Sequence, residues 1–244
     1  MREVVIVTGP IRSGTSCITG LLEACGLDLG RNVRILRNPT PMNPRGHFEP
    51  DLLFAINERL LTESGASGIL QAPEPAAMYA LMQQRERYFR LFMGKFDGEL
   101  CKDPLFCFTL RGWRKHWNCL KRAVFCVRHP SAVAHSMSRR YGLPHADGLR
   151  LWAEYCRAFM AQAEGLPVYW LDFDDFCVDP AQGMDKLLHW LGRPQAREAL
   201  LENMADFFVP PGRLPTPSQD TAALEEEICA LHLELKRRCA NEGG

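Results

Sequence analysis

The 244-residue chain predicts an α/β fold with a mostly parallel central sheet flanked by helices. Three observations carry that reading. Short apolar runs recur at residues 4–7, 123–127 and 168–171, and unbroken apolar strands belong to parallel sheets covered on both faces. Segments of helical period lie between them, the alternation of an α/β chain. Composition agrees: 46% hydrophobic and 24% charged residues stand near the globular average, which excludes a disordered, collagen-like or coiled-coil protein.

Taken in order, residues 4–7 read as a buried strand. Residues 15–25 carry Ile18, Leu21, Leu22 and Cys25 at helical spacing, and Gly26 supplies the stop. Residues 30–50, rich in Arg, Asn and Pro, read as one long irregular loop, a length that in compact domains goes with function. Helices are expected over 51–63 and 75–94. A strand at 123–127 leads through a turn at Pro130 to a helix at 131–140, and an amphipathic helix over 149–164 ends at Gly165. The strand at 168–171 precedes a helix over 180–191, with Pro180 in its first turn and Gly192 beyond its end. A Pro-rich loop at 209–217 leads to the last helix, about 221–239. Its stripe is Leu224, Ile228, Leu231 and Leu235, with acidic residues 225–227 near its start and basic residues 236–238 near its end, complementing the dipole. The chain, 1–244, reads as a single domain.

Charge narrows the partners. With 29 Lys+Arg against 29 Asp+Glu the net charge is zero, so bulk electrostatics gives no reason for a nucleic-acid or membrane partner. The distribution is uneven, however. Arg111, Arg114, Lys115, Lys121, Arg122, Arg128, Arg139 and Arg140 fall in a stretch without Asp or Glu, which becomes an anion site where a motif supports it. The ten cysteines are scattered without a C-x-x-C pair, which argues against a disulfide framework or zinc site and for a reducing compartment. No signal peptide and no apolar run long enough to span a bilayer is present, so a soluble, cytoplasmic protein is expected.

The motif stands between the first strand and the first helix: TGPIRSGTS, residues 8–16. Gly9, Gly14 and Ser16 have the spacing of G-x-x-x-x-G-K-[ST], with Thr15 at the lysine position. A glycine-containing loop at a helix N-terminus offers backbone N–H groups and the positive dipole end to an anion. Ser13, Thr15 and Ser16 add hydroxyls and Arg12 a cation. The missing lysine weakens a nucleoside-triphosphate reading, since that lysine serves the β- and γ-phosphates.

This loop resembles that of the sulfotransferases that use 3′-phosphoadenosine 5′-phosphosulfate (PAPS), and its Arg12-Ser13-Gly14-Thr15 form is similar to the tyrosylprotein and bacterial branches. Cys126-Val127-Arg128-His129-Pro130, with Ser136 eight residues after Arg128, resembles the family's second signature. Lys102-Asp103-Pro104 and the run over 170–192 also resemble bacterial members, so the resemblance covers about residues 4–200. It implies a P-loop NTPase-like three-layer fold and PAPS as donor, with adenosine 3′,5′-bisphosphate as product and no metal required. It further implies that Arg12, Ser13, Gly14, Thr15 and Ser16 hold the 5′-phosphosulfate while Arg128 and Ser136 grip the 3′-phosphate. An arginine suits that second place because its planar, permanently charged fork matches phosphate.

Sulfuryl transfer needs a base for the acceptor hydroxyl, cations on the sulfuryl oxygens and a donor to the leaving oxygen. Arg12 fits the cation role and Lys102 resembles the family's catalytic lysine. NPRGHFEP, residues 43–50, places Glu49 where bacterial relatives carry an acid, so Glu49 is the expected base, with His47 two residues away as the alternative. Trp113 and Trp152 read as core. Arg213 is a further residue expected over the nucleotide. The acceptor, whether glycan, peptide tyrosine or small metabolite, has no readable code, and neither has the oligomeric state. Two rivals remain open: a P-loop kinase using ATP and Mg²⁺, supported by Asp172 at the end of a strand, and a non-catalytic nucleotide-binding module. The absent lysine counts against the first, and the presence of Glu49 and Lys102 against the second.

Overall fold

The computed structural model describes residues 2–40, 45–196 and 226–241. Its strands are β1 (Val4–Thr8), β2 (Ile35–Leu36), β3 (Glu49–Pro50), β4 (Leu100–Lys102), β5 (Leu120–Val127) and β6 (Val168–Asp172). Its helices are α1 (Thr15–Ala24), α2 (Asp51–Glu63), α3 (Pro75–Gln84), α4 (Glu86–Met93), α5 (Phe106–His116), α6 (Pro130–Tyr141), α7 (His145–Gln162), α8 (Phe173–Val178), α9 (Pro180–Trp190) and α10 (Glu226–Asn241). Four strands form one parallel sheet in the order β4-β1-β5-β6.

The pleat explains why these strands read as unbroken apolar runs. Val4, Ile6, Ala123, Phe125, Val127, Val168 and Trp170 face a core shared with α2 to α7 and α10. Val7, Val124, Cys126, Tyr169 and Leu171 face a second core shared with α1, α8 and α9. Helices therefore cover both faces and leave three layers. From β1 the chain crosses to β4 on one side, then fills β5 and β6 on the other. That reversal opens a crevice at the carboxyl ends of the strands, where α/β sheets bind ligands.

Several expectations meet differences with physical causes. The helix expected over 75–94 is two, α3 and α4, broken at Arg85 (φ −108°, ψ 30°). No apolar residue falls between Met82 and Tyr88 to carry the stripe across, and Arg85 turns out to Glu63 at 2.7 Å. The 30–50 loop contains the two-residue strands β2 and β3, paired antiparallel. Helix α5 has no counterpart in the sequence reading. Its Gly112 looks like a breaker, yet the position lets Phe89 and Met82 approach so closely that a Cβ would lie 2.5 Å from the Phe89 ring. Helix α8 is also additional: the Asp172 carboxylate caps it, accepting from the Asp174 and Asp175 amides at 3.0 Å. The Pro-rich loop, Arg213 and the first residues of the last helix lie outside the described residues. Among the described residues no helix is long and apolar enough to cross a membrane. All ten cysteines are free thiols.

Candidate active site at the carboxyl edge of the sheet

The β1–α1 turn needs special backbone geometry, and the sequence supplies glycine at two of its three positive-φ positions. Gly9 has φ 148° and Gly14, the N-cap of α1, φ 94°. A Cβ at Gly9 would lie 2.6 Å from the Cys126 carbonyl and one at Gly14 2.3 Å from the Phe173 ring, so both are glycine for closeness as well as φ. Arg12 takes the third (φ 72°). A non-glycine residue held there is strained, as residues at ligand sites often are.

That strained turn sends Arg12 across to the second motif. Its Nε donates to Ser136 Oγ at 3.0 Å, and Arg128 Nη1 donates to the Arg12 carbonyl at 3.1 Å. Arg12, Arg128 and Ser136 thus form one cationic cluster. Arg128 is buried; its guanidinium lies 5.7 Å from the Phe173 ring centroid and its Nε 3.7 Å from Asp174 Oδ1, an ion-pair separation too long for a hydrogen bond. Asp174 spends its other oxygen on the His129 amide at 2.7 Å, and Trp152 Nε1 donates to the Arg128 carbonyl at 3.1 Å. Burial lowers the pKa of both arginines, and Arg128, Arg139 and Arg140 push Arg12 the same way; both remain cations at neutral pH. Arg128 Nε and Ser13 Oγ are buried without a hydrogen-bond partner. Two orphaned donors in a cluster with two arginines and a helix N-terminus are chemistry an anion satisfies.

Some residues away, β3 and β4 bring together the other half of the site. Phe48 sits at φ 66° with its ring in the α1-side core, and the next residue, Glu49, reaches Lys102 at the end of β4. Lys102 Nζ donates to Glu49 Oε1 and to Ser16 Oγ, the latter at 3.2 Å. Ser16 Oγ donates on to the His47 carbonyl at 3.2 Å, which ties this pair to the phosphate-type loop. Lys102 is 2% exposed and Glu49 6%, so the pair is an interior one, and Glu49 Oε2 is left without a partner. Burial holds His47 below the usual imidazole range, opposed by Glu49 and aided by Lys102, Arg12 and Arg140.

The sequence matches no protein-family model and no curated protein. Its structure is similar to the sulfotransferase domain of the Synechococcus olefin synthase, at 18% identity and a TM-score of 0.52, with 97% of this chain covering 94% of that one. It is similar also to the sulfotransferase domain from the curacin biosynthetic pathway, at 15% identity and a TM-score of 0.52, with 97% covering 98%. The fold is that of sulfotransferase domains.

Within that fold the structure gathers Arg12, Ser13, Gly14, Thr15, Ser16, Arg128 and Ser136 at one edge and joins Lys102 and Glu49 to it through Ser16. Arg12 was expected at the transferred group; its guanidinium rests on Ser136 of the second motif. Asp172, the support for a kinase, is committed to capping α8 and to an ion pair with Lys236. Trp113 and Trp152 are buried, as core residues. Three residues of the site lie in segments whose resemblance gives them no role. Phe173 and Asp174 lie against Arg128, and Asp103 accepts from Asn57; only folding brings them to these partners.

Proposed function

We propose that the chain is a PAPS-dependent sulfotransferase, one sulfotransferase-like domain over 1–244, that moves a sulfuryl group to an acceptor hydroxyl by in-line displacement. The observation that carries this reading is the convergence, at one sheet edge, of the Arg12–Arg128–Ser136 cluster with the buried Lys102–Glu49 pair through Ser16. PAPS supplies an activated sulfuryl group when bound. Its two anionic ends match the two sets of donors: the amides and hydroxyls of 13–16 for the 5′ end, and Arg128 with Ser136 for the 3′-phosphate. Arg12, resting on Ser136, serves the phosphates from between them. No divalent metal is needed for this donor set.

Glu49 takes the acceptor proton at Oε2, the oxygen without a partner, while Lys102 holds Oε1 and fixes the carboxylate's orientation. Lys102 also places its charge beside Ser16, where negative charge develops on the oxygens of the transferred group and the leaving oxygen. His47, kept neutral by its surroundings, offers its carbonyl to Ser16. The acceptor is a glycan, a peptide tyrosine or a small metabolite bearing a hydroxyl.

Calorimetry in EDTA tests the donor reading. Adenosine 3′,5′-bisphosphate should bind at least about tenfold tighter than adenosine 5′-phosphate, because charge-assisted hydrogen bonds to the extra phosphate contribute ~1.5–3 kcal/mol. Equal affinities would overturn the assignment of Arg128 and Ser136.

A further inference from the structure

The transfer site occupies the carboxyl ends of the strands; at their amino ends lies a separate cavity of about 620 Å³. Two helices stop there, α1 at Ala24 and α9 at Trp190, and residues just past each of them, Gly26, Leu27, Leu191 and Arg193, form its walls. A Cβ on Gly26 would meet nothing within 4 Å, so the space opens directly over that turn. On the sheet, Val5 of β1 and Arg122 of β5 stand side by side in register and both line the cavity. Arg122 shares the alternation of Val124 and Cys126, whose side chains face α1 and α9.

The charged groups here divide into those with a partner and one without. Arg193 Nη2 donates to Glu99 Oε2 at 2.6 Å, and Glu99 Oε1 accepts from the Asp28 amide at 3.3 Å, so both oxygens of Glu99 are engaged. Arg2 lies 3.4 Å from Asp28 Oδ2, and Glu3 is exposed to water. No carboxylate of the described residues pairs with Arg122. Its Nη1 donates to the Trp190 carbonyl at 3.0 Å, and its guanidinium lies over the Trp190 ring, 5.5 Å from the centroid. These contacts fix the plane of the fork and leave further N–H groups to donate. Leu27 and Leu191 are buried beside it, and Val5 packs partly buried on the same core.

We propose that this cavity is a binding site for a small organic carboxylate, whose carboxylate sits in the Arg122 fork and whose apolar body lies on Val5, Leu27 and Leu191. A guanidinium matches a carboxylate through two parallel hydrogen bonds, and the volume is that of a small-molecule site. Glu3 and Glu99 also line the cavity and repel a multiply charged anion such as a nucleotide. The site stands apart from the transfer site and does not depend on the sulfotransferase reading.

The experiment titrates the full ¹⁵N-labelled chain with hexanoate and follows arginine Nε–H and backbone amide resonances by NMR. Arg122 Nε–H and the amides of Gly26 and Leu27 should shift saturably, while the amides of residues 9–16 stay in place. Hexanoate should bind at least about tenfold tighter than acetate, because burying two of its additional methylenes is already worth that factor. Hexylammonium has a similar apolar body and the opposite charge, and should not shift these resonances. Arg122→Gln should weaken hexanoate at least about tenfold, the loss of a charged hydrogen-bond partner. Should that variant not fold, Arg122→Lys keeps the charge without the fork and should retain only part of the affinity. Shifts confined to residues 9–16 would place the carboxylate in the β1–α1 loop and overturn the proposal. So would the absence of a saturable shift at Arg122, or wild-type affinity in both variants. Acetate, inorganic phosphate or hexylammonium binding as tightly as hexanoate would overturn it too.

Discussion

Two cation–carboxylate pairs stand at the same edge of the sheet, and they are built differently. Lys102 and Glu49 are in direct hydrogen-bond contact, with side chains 2% and 7% exposed. Arg128 and Asp174 are 3.7 Å apart, and Asp174 is 23% exposed and already bonded to the His129 amide. In the first pair each charge depends on the other, because neither has water to fall back on. In the second, the carboxylate is satisfied by the backbone and the guanidinium is kept charged without being consumed. The first arrangement orients a reacting group; the second keeps an arginine fork available for an anion.

Breaking the first pair should give the largest effect. Lys102→Met leaves Glu49 as an uncompensated buried charge, and the loss should be ~3–5 kcal/mol by urea denaturation. Combining it with Glu49→Leu should recover most of that loss, since a well-packed apolar pair replaces the ions. Both variants should lose turnover by on the order of 10²–10⁴, the usual contribution of a general base. If the double variant is no more stable than Lys102→Met alone, the pair is not the interior unit described here.

The second pair leans on Phe173, whose ring lies under the Arg128 guanidinium and against Gly14. Gly14→Ala should therefore strain the loop backbone and displace the ring on which Arg128 rests, a loss of ~2–3 kcal/mol. Gly26 is the control. Its φ of 90° is similar, but a Cβ there meets nothing within 4 Å, so Gly26→Ala should lose only ~1 kcal/mol from the backbone. Equal thermal shifts for the two would remove Phe173 as a link between the motifs.

Arg128→Met should leave stability nearly unchanged, because Asp174 keeps its backbone partner and replacing an ion by an apolar group is often neutral. Affinity for adenosine 3′,5′-bisphosphate should fall about 30-fold, or ~2 kcal/mol. Arg12→Ala should likewise raise the donor KM more than it lowers kcat, following the contact of Arg12 with Ser136. A kcat effect with unchanged KM would move Arg12 to the transferred group.

What could be read in the sequence follows the range of the interaction. The strand, glycine turn and helix of residues 4–24 are local, and local rules place them. Arg128 and Ser136 lie eight residues apart, so one motif shows both. Glu49 stood out from its short pattern, but its partner Lys102 lies far along the chain, and nothing local distinguishes a lysine at a strand end from one buried against a carboxylate. Asp103 just after β4, Asn57 on α2 and Trp113 on α5 are joined by hydrogen bonds, and only the packing of α2 and α5 on the sheet brings them together. Gly112 is unreadable for the same reason: its role is the approach of Phe89, which the sequence around it does not show.

The smallest effect concerns α10, which packs beside the residues around the second pair. Lys236 binds Asp172 and Asp175, and His232 stacks edge-on against His129, the residue whose amide holds Asp174. Burial and then His129 push His232 down to about 4, with Lys236 acting the same way and Asp172 opposing. An imidazole depressed in the folded state favours the neutral form. Above the ordinary imidazole range neither state binds the proton and the packing is fully stable. As pH falls from about 6.5 toward 4, the detached helix takes up a proton that the docked helix refuses, so docking weakens. His232 is partly exposed, so solvent screening keeps the effect to ~1 kcal/mol. Hydrogen exchange should show α10 amides opening faster at pH 5 than at pH 7 after correction for intrinsic rates, with Lys102 and Glu49 unaffected. His232→Phe should abolish most of that difference while keeping the ring contact. If α10 opens equally in both proteins, the imidazole pair does not gate its docking.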